Sequence, residues 1–306
     1  MVRFYEFAAP AGVFRVRSAV DLAAPLALYA GAWPWRAIDP APDAPDAPAP
    51  DAPAPDTDVE ITAGPDGGCT LGVVADPSLR RDAASALETA GGLIDVLTRL
   101  ALERLGSYAD LHAGAALVDG ALVVMPGPSQ AGKSTLALQL CARGHRLAGD
   151  DRLLIGPLSG GEAITGMALG LNARARLPVH VAAGRAFADY VSDRLLATPR
   201  PVAGLGFVAL RAGEAMAFGE RAAIGAIVLP QRADDGGIRL EKAAPAQTMR
   251  ALLEQMHAPH RPAADLVAAA RALAFGRPGY VLRFDDSAAA AAAIEREMRQ
   301  GGSDRT

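Results

Sequence analysis

The segment Ala121–His145, ALVVMPGPSQAGKSTLALQLCARGH, restricts the fold more than any other part of the sequence. Its Gly127-x-x-x-x-Gly132-Lys133-Ser134 run matches the Walker A pattern in full. An apolar run before the pattern predicts a strand at Ala121–Met125, and the leucines after it predict a helix at Lys133–Arg143. A strand, a loop and a helix in this order indicate an α/β fold built around a phosphate-binding loop.

A loop of this kind holds phosphate mainly through its backbone. Small residues let N–H groups surround phosphate oxygens, and the helix N-terminus adds the positive end of its dipole. Lys133 is expected to reach the β- and γ-phosphates of ATP, and the Ser134 hydroxyl to coordinate Mg²⁺. The alternative is a glycine-rich turn without a ligand. The predicted ATP site consists of Gly127, Pro128, Ser129, Gln130, Ala131, Gly132, Lys133, Ser134 and Thr135.

Two adjacent carboxylates follow the predicted helix. Arg146–Ala148 is a short apolar strand candidate, and Asp150 and Asp151 come just after it. If this strand runs parallel to the strand before the loop, both aspartates lie at the edge where open α/β sheets bind ligands. One carboxylate can then hold Mg²⁺ while the other accepts a proton from an attacking hydroxyl. The alternative is a solvated Asp-Asp turn.

The order of the motifs between residues 112 and 152 resembles a known family. His112-Ala113-Gly114, a predicted hairpin, the Walker A loop and the run Arg143–Arg152 are similar to the catalytic core of HPr kinase/phosphorylase. The resemblance implies a P-loop kinase domain related to phosphoenolpyruvate carboxykinase, which uses ATP and Mg²⁺ to phosphorylate a serine hydroxyl. By position it implies that Asp150 is the catalytic carboxylate, that Asp151 is a second active-site acid and Mg²⁺ contact, and that His112 lies near the phosphates. Taken alone, a histidine before a strand is more often structural, and with the resemblance the two interpretations of His112 are evenly balanced.

The sequence also departs from that family. The family carries a Glu-Arg-Gly-Leu-Gly-type signature, and the nearest segment here, Val202–Gly206, lacks the Glu-Arg pair. The family's N-terminal domain is not recognisable in residues 1–58. The chain more closely resembles divergent HPr-kinase-like proteins of peptide-modification systems, some of which phosphorylate a serine of a precursor peptide such as a lasso peptide. The family's habit of self-association implies a homo-oligomer.

The leading hypothesis is therefore an ATP-dependent kinase acting on a serine of a peptide or protein, with Lys133, Asp150 and His112 in the catalytic site. Positive charge for the reacting phosphate could come from Arg152, Arg174 or Arg176, although a solvated basic face explains these arginines equally well. Two other hypotheses stay open. One is a kinase for a small-molecule hydroxyl, and the other is an ATP-binding regulatory module without transfer activity.

Composition shifts divide the chain into three predicted parts. Residues 1–38 are rich in aromatic residues and include VFRVRSAV, whose alternation predicts a strand, so this part is expected to be a β-rich segment. Asp39–Asp58 combines prolines and aspartates and predicts an extended spacer. Residues 59–306 form the predicted kinase domain.

Within residues 59–306, periodicity and turn residues predict a series of regular elements, including a hairpin closed by Asp119-Gly120. The predicted strands are Val59–Thr62, Cys69–Val74, Ala115–Val118, Ile224–Leu229, Ile238–Leu240 and Tyr280–Phe284. The predicted helices are Asp82–Leu105, Pro245–Met256, Ala263–Leu273 and Ser287–Met298.

Composition excludes several classes of protein. With 34 acidic and 30 basic residues the net charge is −4, so the sequence lacks the basic field typical of nucleic-acid binding. Two cysteines, Cys69 and Cys141, do not make a disulfide framework or a clustered zinc site, and Cys141 is expected to be a small buried apolar residue. No apolar run approaches the ~20 residues of a membrane helix. We expect a cytoplasmic protein with no nucleic-acid or membrane partner.

Overall fold

The chain folds into two units, Met1–Leu105 and Gly106–Thr306. Their structure is a computed structural model that describes residues 2–10, 12–38, 57–64, 66–198, 204–233 and 237–303. Most of the predicted spacer, residues 39–56, lies outside the described residues. Within the described ranges, no helix is long and apolar enough to cross a membrane.

The first unit is a six-stranded sheet with two helices. The strand order is β3-β1-β2-β4-β5-β6, and neighbouring strands are antiparallel except for β2 and β4. Phe14 and Val16 are buried, which fits the predicted alternation of this segment. The elements are β1 (Arg3–Ala9), β2 (Gly12–Ser18), α1 (Ala23–Tyr29), β3 (Trp35–Ile38), β4 (Val59–Ala63), β5 (Cys69–Val73), β6 (Asp76–Ala83) and α2 (Ala86–Leu105).

The division between the units differs from the predicted one. The sequence assigns residues from Val59 onward to the kinase domain, but β4 pairs with β2, with Val16 opposite Val59. The strands β4–β6 therefore complete the sheet that β1–β3 begin, and the unit continues to Leu105. The predicted helix Asp82–Leu105 begins only at Ala86, because Asp76–Ala83 pairs with β5 as a strand.

The second unit contains a ten-stranded sheet. Eight strands follow the order β10-β8-β9-β15-β12-β11-β7-β17, while β18 pairs with β15 and β16 pairs with β18. A separate two-stranded sheet joins β13 and β14. The elements are β7 (Ala109–Leu111), β8 (Ala113–Val118), β9 (Ala121–Pro126), α3 (Lys133–Ala142), β10 (Arg146–Gly149), β11 (Leu153–Gly156), β12 (Thr165–Met167), β13 (Ala173–Arg176), α4 (Arg185–Ser192), β14 (Leu205–Val208), β15 (Arg221–Arg232), β16 (Arg239–Lys242), α5 (Pro245–Gln255), β17 (Met256–His257), α6 (Ala263–Gly276), β18 (Gly279–Phe284) and α7 (Ser287–Ser303).

Helices cover both faces of this sheet, and β9 shows why. Val123 and Met125 belong to a buried cluster with Leu136 of α3 and Ile294 of α7. The alternate residues Leu122 and Val124 belong to a second buried cluster, to which α5 contributes Leu252 and α6 contributes Leu273. A strand buried on both faces reads as a continuous apolar run, as the sequence of β9 does. The predicted α/β class is confirmed.

Strand direction places the ends of four strands at one edge. β15 lies between β9 and β18 and runs parallel to both. β10 runs in the same direction as β9 because both are antiparallel to β8, which lies between them. The carboxyl ends of β9, β10, β15 and β18 consequently share the edge at which the Walker A loop lies, as the sequence predicts for the strand before the two aspartates.

Candidate functional site

The Walker A loop connects β9 to α3 at the carboxyl edge of the sheet. Gly132 is the N-cap of α3 and has a φ of 99°, a conformation that glycine adopts readily. A Cβ at this position would lie 2.7 Å from Cζ of Phe284, so a side chain is excluded on steric grounds as well. No side chain caps α3. The N–H groups of its first turn, which have no partner inside the helix, are thus available to an anion.

The side chain of Lys133 binds to the beginning of the Walker A loop. Its Nζ donates hydrogen bonds to the carbonyl oxygens of Gly127 at 2.7 Å and Pro128 at 2.9 Å. The side chain is buried, and burial lowers the pKa of Lys133 below its usual value, although the charge of Asp151 opposes this shift. The ammonium group is therefore a poorly solvated cation at the mouth of the loop, where a phosphate would be a stronger partner than two carbonyls.

Asp150 lies against the start of α3. The Ser134 hydroxyl donates to the Asp150 carbonyl oxygen at 3.0 Å, and the Asp150 carboxylate accepts a hydrogen bond from the Arg174 backbone N–H at 2.9 Å. Only 5% of Asp150 is exposed. Burial raises the pKa of Asp150 to about 6, against the opposing effects of the Arg174 charge and N–H. Such a carboxylate can exchange a proton near neutral pH.

Asp151 faces the same site with different neighbours. Its carboxylate contacts His112 Nδ1 at 3.1 Å and the Arg174 guanidinium at 2.5 Å. His112 lies between β7 and β8, and its backbone N–H donates to the Gln255 carbonyl. Burial lowers the pKa of His112, although Asp151 opposes the shift. The structure thus brings His112, Asp150 and Asp151 together beside the loop.

The three arginines that the sequence nominates have different surroundings. Arg174 contacts both aspartates, one through its backbone and one through its side chain. Arg152 instead lies 3.5 Å from Asp110, a buried carboxylate of β7 that the sequence reasoning missed. Asp110 lies two residues before His112, and this spacing is the sequence signal that could have identified it. Arg176 is exposed at the end of β13.

Among the described residues, the side chains of Arg143 and His145 in the run Arg143-Gly144-His145 contact helix α7 and not the aspartates or the Walker A lysine. Arg143 and His145 both contact the Glu295 carboxylate of α7, at 2.5 Å and 2.7 Å respectively. Glu295 is buried. This part of the motif therefore joins α7 to the turn that follows α3, whereas Asp150 and Asp151 lie beside the Walker A loop.

The donor set fits Mg²⁺ bound together with phosphate. The described residues contain no cluster of three or more His, Cys, Asp or Glu side chains that could hold a metal by themselves. Mg²⁺ is usually held by one or two protein oxygens together with waters and substrate phosphates. The Ser134 hydroxyl and the Asp151 carboxylate are oxygen ligands of this kind beside the loop, so this site would hold the ion only with a nucleotide.

Fold and site together define a class, an α/β protein with a Walker A loop and a buried carboxylate beside it. No family model matches the chain. Over 65 residues it is 40% identical to the HPr kinase/phosphorylase of Limosilactobacillus reuteri, both of strain DSM 20016 and of subspecies reuteri strain JCM 1112. This segment is 21% of this chain and 20% of each relative, so the chain spans about a fifth of the length of the curated relatives it matches. The predicted resemblance is confirmed over that segment.

Among solved structures, the chain is similar to the Hpr(Ser) kinase/phosphatase from Coxiella burnetii. The TM-score is 0.33 and the identity 14%, over 63% of this chain and 98% of that chain. An overlap of this quality does not extend the resemblance beyond the matched sequence segment.

Proposed function

We propose that the protein is an ATP-dependent kinase that transfers the γ-phosphate to a serine hydroxyl of a peptide or protein in the cytoplasm. One observation carries the proposal. Asp150 is buried next to Ser134 of the Walker A motif, and its pKa is raised to about 6. A buried proton acceptor in this position supports phosphate transfer to a hydroxyl, which it can accelerate by accepting the hydroxyl proton, over nucleotide binding alone.

The loop and α3 bind the substrate ATP. Backbone N–H groups and the helix N-terminus face the phosphates, and Lys133 exchanges its two carbonyl partners for phosphate oxygens. Ser134 and Asp151 would hold Mg²⁺ together with the phosphates, and the ion would supply positive charge against the phosphate oxygens. Arg174 fixes both carboxylates, because its N–H holds Asp150 and its guanidinium holds Asp151.

In the transfer step, Asp150 accepts the proton of the acceptor hydroxyl. The hydroxyl oxygen forms a bond to the γ-phosphorus while the bond from that phosphorus to the β,γ-bridging oxygen breaks, and ADP leaves with the electron pair. Lys133 stabilises the charge that develops on the phosphate oxygens. His112 orients Asp151, which it contacts directly.

The choice of acceptor rests on sequence similarity. The 65-residue match is to proteins named HPr kinase/phosphorylase, and this supports a polypeptide acceptor over a small molecule. The missing Glu-Arg pair before Gly204 argues for an acceptor other than HPr, such as a serine in a precursor peptide. Self-association is also part of the proposal, by resemblance to the same family.

Phosphate transfer from ATP to serine-containing peptides, followed by mass spectrometry, tests the proposal. We expect the wild type to phosphorylate a peptide serine, and Asp150→Asn to bind ATP normally but transfer about 100-fold more slowly. Lys133→Ala is expected to bind ATP at least tenfold more weakly. Asp189→Asn, a change of the same kind on the exposed face of α4, serves as the control and is expected to behave as the wild type.

The other outcomes separate the remaining hypotheses. Equal transfer by Asp150→Asn and the wild type would show that Asp150 is not the proton acceptor. Binding of ATP without transfer to any peptide or small hydroxyl compound would identify a regulatory module. Transfer to a small hydroxyl compound alone would replace the polypeptide acceptor by a metabolite.

A further inference from the structure

Arg232 lies at the carboxyl edge of the sheet, next to the Walker A loop. It is the last residue of β15, the strand that lies between β9 and β18 with both of them parallel to it. Its partner across the β15–β18 pair is Phe284, the last residue of β18. Because the ends of these strands share one edge with the loop, Arg232 is placed where open α/β sheets bind ligands.

Contacts along the loop show how near Arg232 lies to the phosphate site. Residues of β15 lie close to both Gly127 and Gly132 of the Walker A loop. A Cβ on Gly127 would lie 3.7 Å from Cδ of Pro230, and a Cβ on Gly132 would lie 3.7 Å from Nε of Arg232. The guanidinium therefore lies beside the N-cap of α3, whose first-turn N–H groups face any bound phosphate.

Arg232 differs in its surroundings from the other two arginines near the loop. Arg152 and Arg174 each contact a carboxylate of the site. Arg232 is exposed and has no acidic partner among the residues that the structure describes; its guanidinium lies 5.8 Å from the centre of the Phe284 ring. Phe284 is fully buried under Gly132, so the ring is a fixed support. A cation held by an aromatic ring keeps its N–H donors for another partner.

We propose that Arg232 binds a phosphate oxygen of the nucleotide and is a second fixed cation of the phosphate site besides Lys133. The proposal rests on the ATP-binding function proposed above and deepens it. A planar guanidinium can donate two parallel hydrogen bonds to a phosphate, and these are stronger than bonds between neutral groups. Gly132 has no side chain to block the path between Arg232 and the N-terminus of α3.

Isothermal titration calorimetry on the 306-residue chain, with Mg·ATP and separately with inorganic triphosphate, tests this contact. Arg232→Ala is expected to raise Kd about tenfold for both ligands, the loss of one charge-assisted hydrogen bond. Arg232→Lys, which keeps the charge, is expected to recover part of the affinity. Arg283→Ala is the matched control, since Arg283 is also exposed and precedes Phe284 on β18, where successive side chains point to opposite faces.

Each other outcome overturns the proposal in a recognisable way. If Arg232→Ala binds both ligands as the wild type does, Arg232 makes no contact. An equal loss of affinity in Arg232→Ala and Arg283→Ala would show that the positive charge of this sheet edge matters, and not a direct contact of Arg232. A loss for ATP but not for triphosphate would place Arg232 at the base or ribose. If the wild type binds neither ligand, the proposed function itself is refuted. If the wild type binds both ligands, Lys133→Ala abolishes binding and Arg232→Ala leaves it intact, only the inference about Arg232 is refuted.

Discussion

At the scale of single residues, Gly114 shows how little room surrounds the phosphate loop. It lies on β8 where that strand passes the first turn of α3, and a Cβ there would lie 2.7 Å from the Lys133 carbonyl oxygen. Gly114→Ala must therefore push α3 and Lys133 outward. We expect it to lower the free energy of unfolding by about 1–3 kcal/mol and to weaken ATP binding about tenfold, measured by thermal unfolding and calorimetry.

A glycine without neighbours provides the control for this prediction. Gly276 ends α6, and a Cβ there would meet nothing within 4 Å. Gly276→Ala should therefore leave both stability and ATP affinity close to those of the wild type. Wild-type ATP affinity in Gly114→Ala would show that the loop tolerates displacement and that the approach of β8 does not position Lys133.

Asp150 and Asp151 show which features of a single residue can be predicted from the sequence. The motif spacing predicts that both lie beside the loop, and they do. It does not say which one is buried, because the answer depends on Arg174, a residue on another strand that binds Asp150 through its N–H and Asp151 through its side chain. For the same reason, the sequence did not predict that Asp110 and Arg232 lie near the candidate site: only the pairing of their strands, β7 and β15, brings them there.

At the scale of elements, Glu295 ties α7 to the rest of the second unit. Burial alone would raise the pKa of Glu295, but hydrogen bonds from Arg143 and His145 outweigh it and hold the net pKa below the usual 4.5. Glu295→Gln removes the negative charge that faces the Arg143 guanidinium and leaves a single, neutral oxygen acceptor for two donors. We expect Glu295→Gln to lower the free energy of unfolding by about 2 kcal/mol at pH 7, measured by urea denaturation.

This loss should depend on pH with a definite sign. A depressed carboxyl pKa stabilises the fold above the unfolded-state pKa, and the stabilisation disappears as pH falls through the folded-state value. The difference between wild type and Glu295→Gln should therefore be complete above about pH 5 and shrink below pH 4.5. Glu297→Gln on the same helix keeps an oxygen acceptor for the Tyr280 hydroxyl and should show neither effect. A difference that stays constant down to acid pH would contradict the assignment.

The elements that sequence predicts are those with a strong local signal. The hairpin β8–β9 and the helices α3, α5 and α6 follow from apolar periodicity and turn residues close to where they occur. The strands β6, β12 and β13 were missed because they are polar or short and are strands only through their partners. β6, for example, exposes most of its residues and is defined by its pairing with β5.

At the scale of the whole molecule, the overall charge of −4 conceals the proposed anion site. Cations collect at one edge of a sheet, where Lys133, Arg174 and Arg232 adjoin the N-terminus of α3. Backbone dipoles add to them without changing the residue count. Net charge therefore excludes binding modes that need a broad basic field, such as non-specific binding to nucleic acid, and does not bear on a local phosphate site.

The division into two units predicts where the chain can be cut. The candidate site, from Asp110 to Phe284, and both buried clusters of the second unit lie after Gly106. A length of about 200 residues is within the normal range for a domain that folds alone. We expect a fragment of residues 106–306 to be monodisperse, to unfold cooperatively and to bind Mg·ATP with an affinity close to that of the full chain, by size-exclusion chromatography, thermal unfolding and calorimetry.

A fragment of residues 59–306, which begins at the boundary that composition suggests, is the matched comparison. It keeps β4, β5, β6 and α2 but removes β1–β3, so β4 loses its partner β2 and exposes an unpaired edge together with buried residues such as Val59 and Ile61. An exposed apolar edge strand promotes association with other chains. The longer fragment should therefore aggregate where the shorter one does not. A soluble 59–306 fragment beside an unfolded 106–306 fragment would instead place the boundary at Val59, because β4–β6 and α2 would then be required by the second unit.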